Sequence, residues 1–122
     1  MRKSFFTLAI SIMLLVSASI SNAQMKVQTG LWIADKNISN YTLSAGGEME
    51  RTVVLNITFP KPFVSQPEVS FSITRFDADT NINTRYDVKV VSVHKAGFTL
   101  NVKTWGGTKI NLIGGTWMAI GE

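Results

Sequence analysis

The chain is poorly supplied with groups that make and break bonds, and better supplied with groups that hold a ligand. Its one histidine, His94, lies in the link His94-Lys95-Ala96-Gly97 and reads as a solvated turn residue. There is no cysteine, and no GxSxG elbow, HExxH pair or phosphate-cradling glycine motif. Asp77 and Asp79 could ligate calcium, but their run "DADTN" lacks the glycine and the closing glutamate of a calcium loop, so both read as turn residues. No catalytic set, metal or cofactor is expected. What remains is Trp105, directly before the pair Gly106-Gly107, together with Arg85 and with Glu48 in the run "GGEME". An indole offers an apolar face, a guanidinium donates a planar fork of hydrogen bonds, and a carboxylate accepts them. Those three chemistries suit a neutral sugar, which has an apolar C–H face and a rim of hydroxyls.

The elements that position these residues show the period-two alternation of half-buried strands. Val53, Leu55, Ile57 and Phe59 share one face, as do Val69, Phe71 and Ile73 further on. Tyr86, Val88 and Val90 stand against Arg85, Asp87 and Lys89; Phe98, Leu100 and Val102 stand against Thr99, Asn101, Lys103 and Trp105. The short link at His94 makes the last two a hairpin, which brings Arg85 and Trp105 to the same end of a sheet, both outward. Gly106-Gly107 fits a two-residue turn of positive φ and predicts a second hairpin with residues 108–121, in which Gly114-Gly115 marks a bulge or bend. With a strand near residues 25–34 the total is about six. The natural architecture is an all-β, six-stranded antiparallel β-sandwich. Residues 35–50 are the one long irregular stretch, and loops of that length tend to be functional or mobile.

Residues 1–23 have a basic start at Arg2 and Lys3, an apolar run from Phe5 to Val16, and a small-residue exit at Ser21-Asn22-Ala23. This pattern predicts a secretory signal peptide, followed by a single domain over residues 24–122 that is secreted, or periplasmic in a bacterium. The apolar run is shorter than the roughly 20 residues a membrane span needs, so no membrane insertion is expected. Loss of Arg2 and Lys3 lowers the formal charge from +4 to +2. The remaining basic residues are scattered among acids, so nucleic acid is not an expected partner. Asn-x-Ser/Thr sequons occur at Asn37, Asn40 and Asn56, and chance accounts for all three.

The segments 56–77, "NITFPKPFVSQPEVSFSITRFD", 83–110, "NTRYDVKVVSVHKAGFTLNVKTWGGTKI", and 117–122, "WMAIGE", with "KVQTG" at 26–30, resemble in order and spacing the H-type lectin domain known from snail agglutinins and the C-terminal part of discoidins. The resemblance implies a non-enzymatic β-sandwich that assembles as a homotrimer and binds galactose or N-acetylgalactosamine glycans at subunit interfaces. It carries the family's arginine onto Arg85, its tryptophan onto Trp105, its loop aspartate onto Glu48 and the glycine two residues earlier onto Gly46. Two positions depart: a histidine of the snail protein is Gly106 here, and a tyrosine on the following strand is Asn111. These six positions make up the expected carbohydrate site, with the choice between the two sugars open. The rival reading is a structural or adhesive trimeric module that kept the sandwich and lost sugar binding.

Overall fold

In the computed structural model, which describes residues 24–122, six strands form two three-stranded antiparallel sheets, with no helix among the described residues. The strands are β1 (Lys26–Asp35), β2 (Arg51–Thr58), β3 (Glu68–Ala78), β4 (Tyr86–His94), β5 (Gly97–Thr104) and β6 (Ile110–Gly121). One sheet has the order β1-β6-β3 and the other β2-β5-β4. The leader expected at residues 1–23 lies outside the described residues.

The alternation sends its apolar halves between the sheets. Val53, Phe98, Leu100 and Val102 from one layer meet Trp32, Ala34, Ile113, Trp117 and Ala119 from the other, all buried. At the end where β5 begins, the Phe59 ring centroid lies 5.1 Å from Phe63, 5.8 Å from Phe98 and 5.6 Å from Trp117, within the range of favourable aromatic contact. The indole of Trp32 meets Phe71 edge-on at 6.2 Å, and its Nε1–H donates to the Ser72 carbonyl at 3.1 Å. Two of the three tryptophans, Trp32 and Trp117, are therefore core residues.

The fold corrects the expected hairpin between β5 and the last strand. Gly106 and Gly107 do adopt positive φ, +67° and +80°, but the chain then crosses to the other sheet, where β6 runs between β1 and β3. The reason is that β5 has no free edge: β2 pairs with one side of it and β4 with the other. The bulge expected at Gly114-Gly115 is at that level, but its extra residue belongs to the partner. Ile73 pairs with Gly115 and Arg75 with Gly114, leaving Thr74 over on β3. The glycine pair serves close approach, since a Cβ on Gly115 would collide with the Ser72 carbonyl and one on Gly114 would lie 2.7 Å from the Trp32 carbonyl oxygen. Asp77, expected in a turn, lies within β3.

Candidate functional site

The site grows out of the β4–β5 hairpin. Tyr86 pairs with Thr104, so Arg85 immediately before β4 and Trp105 immediately after β5 stand across from each other at one end of the sandwich. Trp105 stays half-buried, on the outward phase that its spacing from Phe98, Leu100 and Val102 demands. Two buried threonine hydroxyls fix the backbone of Arg85: Thr104 Oγ1 donates to its carbonyl at 2.5 Å, and its N–H donates to Thr108 Oγ1 at 3.0 Å. Thr108 Oγ1 in turn donates to the Asn83 carbonyl at 2.6 Å. The guanidinium leans over the turn, with Nη1 donating to the Gly106 carbonyl at 3.3 Å. The positive φ favours glycine at Gly106, and a Cβ there would lie 2.7 Å from that Nη1 and push the guanidinium aside.

The connection between β1 and β2, residues 36–50, is tied to this turn. Leu43 fills the end of the core, and Tyr41 Oη donates to the Ile110 carbonyl at 2.6 Å. Burial, with Asp35 nearby as a smaller cause, pushes the Tyr41 phenol up to about 12, so it stays neutral and donating. The N–H groups of Gly106 and Gly107 donate to the carbonyls of Glu48 and Gly47, at 3.4 and 3.0 Å. Gly46 has φ +74° and packs against Lys109, whose Cε a Cβ would approach to 2.8 Å. The clamp is Arg51. Its guanidinium donates to the carbonyls of Leu43 (3.4 Å), Gly47 (3.3 Å) and Met49 (3.2 Å) on the loop, and of Thr108 (2.9 Å) beyond the turn. One planar fork thus joins the loop to the turn.

Glu48, Glu50, Lys103 and Trp105 line a cavity of about 420 Å³ at this end, a size within the usual range for small-ligand sites. Lys103 Nζ lies 3.3 Å from Glu50 Oε1 and 5.7 Å from the Trp105 ring centroid. Of the six expected positions, Glu48 and Trp105 share this cavity, Arg85 and Gly106 meet on the turn beside it, and Gly46 lies on the same loop as Glu48. Asn111 is placed differently, on the opposite sheet, with its amide donating to Asp79 Oδ1 at 3.2 Å. His94, expected in the turn, is the last residue of β4, paired with Gly97; it is exposed, and its Nδ1 accepts from the Ala96 N–H of the turn at 3.3 Å. Among the described residues no group of three or more histidine, aspartate or glutamate side chains is disposed to hold a metal ion, and no helix is long and apolar enough to cross a membrane.

Four supporting residues escaped the sequence reading. Arg51, Thr104 and Thr108 position the loop and Arg85, and Lys103 shares the cavity. Arg51 and Thr104 did carry a signal: each is a polar residue on the inward phase of its strand, in step with Val53 and with Val102. Thr108 carried none, because it lies in the irregular crossing.

A sandwich with an aromatic, a guanidinium and a carboxylate at one end carries the groups that suit a carbohydrate. The comparisons agree. The model of the H-type lectin domain matches residues 54–120, more than half of the chain. The chain belongs to the H-type lectin domain family. It is similar to a protein of Fuscovulum blasticum described as ATP synthase subunits region ORF 7, with 36% identity over 82 residues, covering 63% of this chain and 71% of that one. It is also similar to Discoidin-2 of Dictyostelium discoideum, with 33% identity over 92 residues, covering 74% of this chain and 34% of the relative. The native structure of recombinant discoidin II superposes with a TM-score of 0.69 at 30% identity, over 83% of this chain and 38% of that one. The chain therefore spans about a third of the length of the discoidins it matches.

Proposed function

We propose that this protein is an exported lectin that binds galactose or N-acetylgalactosamine at the Trp105 end of the sandwich and gains avidity by homotrimerisation. The observation that carries the reading is the meeting of Trp105, Glu48 and Arg85 around one hydrogen-bonded turn. In this reading the indole packs on the apolar face of the sugar. Glu48 accepts from its hydroxyls and Arg85 donates to them. Gly46 lets the loop backbone pass close to the ligand, and Gly106 keeps the turn low enough for Arg85 to lie across it. Export rests on the basic, apolar and small-residue pattern of residues 1–23. Trimerisation is supported by the outer face of the β1-β6-β3 sheet, which leaves Leu31 82% exposed among other apolar side chains. Three sites on one cyclic assembly would convert weak single-site binding into useful avidity for clustered glycans.

A structural trimer without sugar binding is the second reading, favoured by Asn111, whose amide is engaged with Asp79 on the opposite sheet. Passage of the mature protein over immobilised galactose and N-acetylgalactosamine separates the two. Retention of the wild type with loss of retention by Arg85→Ala is the expected result. Free passage of the wild type over both resins would leave the structural reading.

A further inference from the structure

The Trp105 cavity continues onto the outer face of the β2-β5-β4 sheet. Glu50 and Lys103, which wall the Trp105 cavity, also wall a second one of about 180 Å³, completed by Thr52, Asp87, Lys89, Val91 and Asn101. The register explains the continuity. On the outward phase Thr52, Lys103 and Asp87 form one row across the three strands, and Val54, Asn101 and Lys89 form the next. From Trp105 to Asn101 the strand spans about 13 Å at roughly 3.3 Å per residue, longer than one sugar ring needs.

Two ion pairs flank this second hollow, Lys103–Glu50 at 3.3 Å and Lys89–Asp87 at 3.4 Å. Two ammonium and two carboxylate groups cancel, so the hollow is polar and close to neutral. Between them stands Asn101, whose Oδ1 is shielded from water and has no hydrogen-bond partner. An unpaired buried acceptor of this kind costs about 1–3 kcal/mol, and a native structure that keeps one calls for a reason. Lys89 and Lys103, its neighbours on the same face, have long side chains that can swing aside to admit a donor. The exposed Val91 adds an apolar wall against which a C–H face can rest.

We infer that Asn101, Lys89, Asp87 and Thr52 form a second subsite for the next residue of a neutral oligosaccharide whose terminal sugar sits at Trp105. The inference rests on the lectin reading of the Trp105 end. A hydroxyl of the second sugar donates to Asn101, and the flanking ion pairs exchange hydrogen bonds with its neighbours. Sulfated or carboxylated glycans gain nothing, because each added negative charge meets Glu50 and Asp87 as well as the two lysines.

The test is an array carrying galactose and N-acetylgalactosamine as monosaccharides, as the terminal units of neutral di- and trisaccharides in several linkages, and in sulfated form. It is probed with the wild type and with the double variant Asn101→Ala, Lys89→Ala. At least one neutral oligosaccharide should bind about tenfold more tightly than its own terminal sugar. The double variant should lose that advantage, keep its affinity for the monosaccharide, and show only a slight change in melting temperature, because Asn101→Ala removes an unpaired acceptor and Lys89→Ala removes only an exposed ion pair. Equal affinity for every oligosaccharide and its terminal sugar would overturn the subsite, as would an advantage that survives in the double variant or is carried by the sulfated glycans. Absence of binding to any sugar would instead sink the lectin reading beneath it.

Discussion

The two sheets of the sandwich face the core alike and face outward differently. On the β1-β6-β3 sheet the outer face carries Val27, Leu31, Ile33, Met118 and Ile120 with the hydroxyls of Thr29, Ser70, Ser72 and Thr116. No charged residue lies between Lys26 and Asp35 of β1, between Glu68 and Arg75 of β3, or anywhere in β6. The outer face of the β2-β5-β4 sheet carries Lys103, Asp87, Lys89, Asn101, Asn56 and Thr52, two ion pairs and a Thr99–Asn56 hydrogen bond of 3.0 Å. A solvated antiparallel sheet is expected to be polar outside, and the second sheet is. A large apolar outer face points to a partner, and the first sheet has one. The candidate site residues Arg85 and Trp105 extend from the ends of the polar sheet, so the proposed ligand site and the apolar face belong to different layers of the same domain.

The comparison breaks most completely at Gly115. A side chain there would drive β3 away from β6 and dismantle the sheet that bears the apolar face. Gly115→Val should destabilise by about 3 kcal/mol or more, the upper part of the overpacking range, and appear as loss of the cooperative melting transition. The outer faces are separated next. Leu31→Lys should convert the proposed trimer to monomers in sedimentation at micromolar concentration, whereas Val54→Lys on the polar sheet should leave its mass unchanged. Equal effects of the two substitutions would remove the distinction between the faces.

A smaller effect is expected at the junction of the polar sheet with the site. Thr108→Val leaves the Arg85 N–H and the Asn83 carbonyl without their partner and should cost about 1–3 kcal/mol of stability, with a parallel loss of sugar retention. The smallest effect is a dependence on alkaline pH. The Tyr41 phenol, normally near 10, is held at about 12 in the folded chain by burial, with Asp35 as a minor cause, so the unfolded chain gives up the proton first. The stability due to the neutral phenol is therefore complete below pH 10 and is lost as the pH rises through 12. Melting curves of the wild type and Tyr41→Phe across that window should converge; a constant gap would show that the titration of Tyr41 contributes nothing.

The placement of the candidate site residues could largely be read from the chain because strand phase is local. The spacing of Trp105 from Val102 put the ring outside, and the hairpin at His94 set Arg85 across from it. Glu48 was legible as a carboxylate in a glycine-flanked loop, but what holds that loop was not. Arg51 reaches four carbonyls from residues 43 to 108, and sequence distance carries no trace of such convergence. The Asn101 hollow was equally invisible, since an outward asparagine in a polar row looks like any solvated residue until its neighbours are in place.

The sequence by itself determined the six strands, the inward faces of their alternating runs and the positive-φ turn at Gly106-Gly107, because alternation and glycine's conformational freedom act within a few residues, while the bulges at Thr74 and Val91 that shift the phase carry no local signal. Only the tertiary structure decided which strands pair. Backbone hydrogen bonds are alike for every strand, so the chain after Gly107 went where an unfilled place and a fitting apolar face coincided, between β1 and β3. That crossing carries Thr108 beneath Arg85 and lays the Glu48 loop against the turn, which is how a residue pattern on separate strands is gathered into one candidate site.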